Sequence, residues 1–209
     1  MVLPEPFSTA SPVLANYDYF DIAEGTGVVI FYGAEHEEGG VKGYFLSNIP
    51  TYSNSVMVRT NPTSTSYTKL KDNDFDVTFN TPKNINGKLR VALTLGSLIT
   101  TATGYSYVIV KARHWDGTTE TELGSGTTKT LTASGAVDSV PTNTEIDIDD
   151  VHFAAGETLR ITIELWGKKS EAGTVGNMGY GCDPKNRKSV FKKDDDTSVM
   201  EVMVPFKFQ

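Results

Sequence analysis

Three carboxylates alternate with isoleucine in Glu145-Ile146-Asp147-Ile148-Asp149, and Asp150 follows. Successive residues of a strand point to opposite faces, so a strand here would place all three carboxylates on one face. Such a stripe suits a hard cation, or a carboxylate pair for glycoside hydrolysis. It also suits a solvated strand face, neutralised by Lys or Arg on neighbouring strands and resistant to edge pairing. The structural reading is the one we take. His36, His114 and His152 stand at no metal-ligand spacing from one another or from Cys182, the single cysteine, and read as surface or turn residues. Cys182 has no evident base partner and reads as a small buried residue. There is no Gly-x-Ser-x-Gly elbow. Asp72-Asn73-Asp74 begins like a calcium loop but lacks the later Gly and Glu, so it reads as a turn before a strand. Glu35, Glu37 and Glu38 flank His36 ahead of Gly39-Gly40 and read as a mobile charged loop, and Lys192–Asp196 reads as a solvated one. No catalytic residue, metal site or cofactor is expected.

Binding chemistry is carried by aromatics and by one late loop. Trp115, Trp166 and Tyr180 stand beside glycines, where rings stack on sugars, anchor interfaces or fill a core. Core and interface are the uses we expect. The stretch Gly176–Arg187 is rich in glycine and contains Asp183-Pro184, which favours an extended or turn conformation. Asp183 is placed to bond backbone donors or to pair with Arg187. Both residues are candidates for an inter-subunit contact.

The elements that must position these residues read as strands. Thr occurs 26 times, ahead of Val at 19 and Leu at 12, a β-branched bias that suits a pleated surface. Phe75, Val77 and Phe79 alternate with polar residues, as do Leu89, Val91, Leu93 and Leu95. Val28–Tyr32 is continuously apolar and predicts burial on both faces. Asp116-Gly117 predicts a hairpin between Tyr105–Trp115 and Thr118–Leu123. Gly124-Ser125-Gly126 and Ala155-Gly156 predict further turns. About eleven strands, no amphipathic helix and no linker-length gap give an all-β class. The expected architecture is a single β-sandwich of jelly-roll type over residues 16–209. Residues 1–15 carry Pro4, Pro6 and Pro12 and read as an extended N-terminal arm, a strap whose Leu3, Phe7 and Val13 would contact a neighbour.

The formal net charge of −7 disfavours nucleic-acid binding, which needs basic patches. No run approaches the roughly 18 apolar residues of a membrane helix, and Met1–Pro6 lacks the basic and apolar regions of a secretion signal. A single cysteine excludes an intramolecular disulfide framework.

Three segments together carry a resemblance: Val151–Trp166, the glycine-rich loop ending Asp183-Pro184-Lys185-Asn186-Arg187, and the closing Val204-Pro205-Phe206-Lys207-Phe208. Over residues 145–209 the chain resembles jelly-roll structural proteins of tailed-virus particles. The resemblance implies a non-enzymatic capsid decoration (cement) protein that binds and stabilises the major capsid protein shell. It would be a homo-oligomer, with a trimer expected, made in the host cytoplasm and carried on the virion surface. The alternative is a carbohydrate-binding jelly-roll module of a tail fibre, resting on Trp115, Trp166 and Tyr180.

Overall fold

A computed structural model describes residues 26–99, 102–134, 137–171, 176–193 and 196–207. The strands are β1 (Thr26–Glu38), β2 (Val41–Ser47), β3 (Met57–Thr60), β4 (Thr68–Thr78), β5 (Lys83–Ile99), β6 (Thr103–Trp115), β7 (Glu120–Thr127), β8 (Leu131–Ser134), β9 (Val137–Phe153), β10 (Thr158–Lys169), β11 (Gly176–Gly181) and β12 (Glu201–Lys207). No helix occurs among the described residues, and the chain is all-β. The arm at 1–15, with Leu3, Phe7 and Val13, lies outside the described residues.

The strands form one mixed sheet in the order β3-β11-β5-β12-β1-β2-β4-β10-β6-β7, with β9 on β5 and β8 on β6. All the pairings are antiparallel except β2 with β4, which meet in parallel at Phe45 and Asp76. The sheet curls until β7 closes on β9. A Cβ on Gly124 would stand 2.7 Å from the Ile146 side chain, and one on Gly126 would collide with Thr144. Those two glycines therefore permit close approach inside β7. The turn expected at 124–126 is absent because the chain stays extended there.

Alternation decides what goes inside. Leu89, Val91, Leu93 and Leu95 of β5 are at most 2% exposed, and Leu159, Ile161, Ile163 and Leu165 of β10 are wholly buried. Phe79 lies edge-on to Phe153 and Phe206, at 5.3 and 5.7 Å between ring centres, and seals one end of the core. The Asp116 hairpin forms as expected: Asp116 Oδ1 accepts the Thr118 and Thr119 amides, and Gly117 takes a φ of 96°. Gly156 likewise turns with a φ of 92° before β10.

Val28–Tyr32 departs from expectation. β12 pairs with the first half of β1, Thr26–Tyr32, and β2 with the second, Tyr32–Glu38, and only one face of Val28–Tyr32 meets the core. Phe31 is buried while Val28 is 40% exposed. Pairing of the edges does not cover the outer face. Asp72-Asn73-Asp74 also differs, since it lies within β4 and not in a turn before it.

Truncating Ile163 to Ala should cost about 2–5 kcal/mol, the usual range for an emptied aliphatic core site. Val41→Ala, on a side chain 73% exposed, should stay within about 0.5 kcal/mol of the parent. Urea unfolding of both variants measures the contrast.

Candidate functional site

The outward face of β4, β10 and β6 gathers the densest polar chemistry of the described residues. Register sets it up: Asp76 lies opposite Arg160, Asp74 opposite Thr162 and Asp72 opposite Glu164. Arg160 forks onto Asp76 through Nε and Nη2, both at 2.8 Å, and its Nη1 reaches Glu120 at 3.0 Å. Arg113 holds the other oxygen of Glu120 at 3.0 Å, and the Thr162 hydroxyl donates to Asp74 at 2.6 Å. Bidentate pairs of this kind are geometrically specific. They explain why β4 can carry three aspartates in a strand: each finds a donor on β10 or, for Asp72, in Lys69 on β4 itself.

Glu164 is the hub. It is 5% exposed and accepts from Lys111 at 2.9 Å, from the Trp166 indole at 3.0 Å and from Lys69 at 3.4 Å. Burial alone would raise its pKa; the bonds from Lys111 and Trp166 and the two ammonium charges outweigh it and hold the carboxyl below its ordinary range. Arg160 is held charged in the same way, chiefly by Asp76. Neither group is poised to exchange a proton near neutrality.

Aromatic rings close one end of the face. Trp166 follows a register shift in β10 and lies opposite Tyr107. Their rings are parallel to within 4° at 6.4 Å. Tyr67 meets Tyr107 edge-on at 5.2 Å, and the Lys168 ammonium stands 4.7 Å from the Tyr67 ring and 5.0 Å from Tyr105. Sequence reasoning singled out Trp166 but grouped it with Trp115 and Tyr180. Tyr180 is instead wholly buried, its hydroxyl accepting from Asn73 at 2.6 Å.

The other candidate residues are dispersed. Glu145 pairs with Arg90 and Asp147 with Lys88, in each case the residue opposite on β5, so two of the stripe's three carboxylates are neutralised across the strands. Asp183 is wholly buried and takes the Arg187 backbone amide at 2.7 Å, its Nε at 2.9 Å and the Lys185 amide at 3.3 Å. Arg187 also donates to the Ser53 carbonyl and stacks 4.2 Å from the Tyr52 ring centre. The pair braces the loop from within: Asp183 is sealed, while Arg187 and Tyr52 reach the surface. His114 bonds Glu157 at 2.7 Å, and His152 bonds Asn84 at 2.6 Å. No group of three or more metal-ligating side chains occurs among the described residues. The Cys182 thiol is buried and pushed up to about 12 by desolvation, so it is not a nucleophile at neutral pH. Glu35 is no part of a mobile loop. It lies inside β1 at 1% exposure, and its backbone amide donates to Ser53 Oγ at 2.9 Å.

No protein-family model and no curated protein matches this sequence. Among solved structures, an α-amino acid ester hydrolase is similar with a TM-score of 0.57 and 10% identity, over 86% of this chain and 36% of that one. A CocE/NonD family hydrolase from Staphylococcus aureus matches with a TM-score of 0.49 and 13% identity, over 87% of this chain and 37% of that one. The chain thus spans little more than a third of the hydrolases it matches. The expectation that the chain is not an enzyme is corrected by the match to the α-amino acid ester hydrolase. A fold read as that of an inert scaffold is one that a hydrolase carries, so the architecture gives no ground for excluding catalysis. At 10% identity the likeness is one of fold, and no catalytic residue is transferred.

Glu164→Gln should cost about 1–3 kcal/mol at neutral pH, because Lys111 and the Trp166 indole lose a charged acceptor. The folded-state pKa of Glu164 lies below the ordinary 4.5, so its contribution is complete above that value and disappears as pH falls through the folded-state value. Urea midpoints of parent and variant should therefore converge on acidification. A gap that stayed constant into strong acid would refute an electrostatic role. By contrast, Glu145→Gln on the exposed stripe should change stability by less than about 1 kcal/mol.

Proposed function

We propose that the chain is a structural protein of a virus particle, a jelly-roll β-sandwich that decorates and stabilises a shell of major capsid protein. The observation that carries this reading is the outward face of β4, β10 and β6. It is an almost charge-balanced lattice of ion pairs that ends in the Trp166–Tyr107 stack. Trp, Tyr and Arg are the side chains that dominate protein–protein binding energy, and pre-paired charges lower the cost of desolvating such a face. The resemblance of residues 145–209 to tailed-virus structural proteins supports the same reading. A homo-oligomer, expected to be a trimer, would multiply weak contacts on a repeating lattice. Residues 1–15 would act as a strap between neighbours. The net charge of −7 favours solubility and discourages contact with packaged nucleic acid.

The test is co-sedimentation with shells of major capsid protein. Trp166→Ala and Tyr107→Ala together should weaken attachment at least tenfold, and deletion of residues 1–15 should weaken it further while the fold persists. Shells that bind the double variant as tightly as the parent would overturn the assignment of this face. Saturable glycan binding lost in the same variant would assign the stack to sugar recognition instead.

A further inference from the structure

On another part of the sheet, strands β1 to β4 and the segment before β3 enclose a hollow of about 340 Å3. Its polar lining is Glu35, Lys42, Tyr44, Ser55, Arg59 and Lys71, and Met57 and Val58 supply apolar wall. Glu35 is the fixed point. One of its oxygens accepts from Lys42 at 2.9 Å and from the Ser55 hydroxyl at 2.6 Å. A carboxylate buried this deeply must be compensated, and Lys42 does so. Tyr44 also contacts Glu35, and burial together with that negative charge keeps its phenol protonated.

Lys42 is therefore committed, but Arg59 and Lys71 are not. No carboxylate among the described residues lies within ion-pair distance of either, although the chain carries 26 acidic residues. Arg59 is exposed and its guanidinium rests 4.9 Å from the Phe191 ring centre, which orients the group without neutralising it. Two cations with no carboxylate partner among the described residues thus border a hollow in an acidic protein. At about 30 Å3 per water the space holds roughly ten waters, too much for a bare ion. The apolar wall suits a few methylene groups.

We propose that this hollow binds a small carboxylate, with Arg59 and Lys71 on the anionic head and Met57 and Val58 on its short apolar stem. Two sources offer that carboxylate, a free short-chain acid and the C-terminal residue of a peptide. Nuclear magnetic resonance titration of the full chain with butyrate, and with tetra-alanine bearing a free or an amidated C-terminus, tests this. At least one free-carboxylate probe should saturate, with shifts at Ser55, Arg59 and Lys71; neutral butyramide and the amidated peptide should not bind. Tighter binding of butyrate identifies a free acid, and tighter binding of tetra-alanine identifies a peptide terminus. Arg59→Gln and Lys71→Gln should each weaken binding at least tenfold, with spectra otherwise superimposable on the parent. Shifts that fail to saturate, that scatter over other lysines, or that persist in both variants would overturn the site, as would equal binding of butyramide.

Discussion

The register of β10 between β4 and β6 is the constraint on which the rest of the molecule depends. Side chains alternate, so a slip of one residue on either edge would exchange the two faces. Ile161, Ile163 and Leu165 would leave the core, and Arg160, Thr162 and Glu164 would enter it. The paired strands hold the register from both sides: Asp76 and Asp74 on β4 fit only the present partners, and so does Lys111 on β6. The polar bonds do not need to add much net stability to do this. Their effect is to make every other alignment costly, because misaligned charges would be desolvated without partners.

Acidity is handled differently in different parts of the protein. Glu145 and Asp147 of the stripe are exposed and paired across strands, where ion pairs are individually weak. Asp183 is sealed in its loop by backbone amides and Arg187, so a buried charge there fixes local backbone shape. Glu35 is sealed among strands by Lys42 and hydroxyls. The net −7 is thus no uniform coating, and the positive charges of Arg59 and Lys71, without a carboxylate partner among the described residues, stand out against it.

Much of the fold was legible because alternation reports directly on faces. Phe75 and Phe79, the Leu89–Leu95 set and the Asp116-Gly117 hairpin all follow from local pattern, as does neutralisation of Glu145 and Asp147 by cations on a neighbour. What escaped depends on strand order, which local pattern does not encode. Asp72-Asn73-Asp74 looks like a turn until β10 and Lys69 supply partners. Glu35 looks solvated among Glu37 and Glu38 until Ser55, twenty residues on, closes over it. Gly124 and Gly126 look like punctuation until β9 is seen pressing against them. The same limit paired Trp166 with the wrong aromatics, since Tyr107 is its neighbour only across the sheet.

The lone parallel junction at Phe45 and Asp76 has a mechanical meaning. Along the backbone ladder it is the pairing that joins seven strands, β3 to β2 with β9, to five, β4 to β7 with β8. Antiparallel zippers several residues long flank it on both sides, so the ladder there is a seam, and cohesion across it falls to packed side chains. The Tyr44 ring against Phe75 at 5.0 Å is one such stitch. Under load, or in a transient opening, the sheet would part along this line into two cooperative blocks while each kept its own ladder. Amides bordering β2 and β4 would then exchange with solvent before those of β10. Asp76 stands at the edge of both blocks, its backbone in the seam and its carboxylate clamped by Arg160.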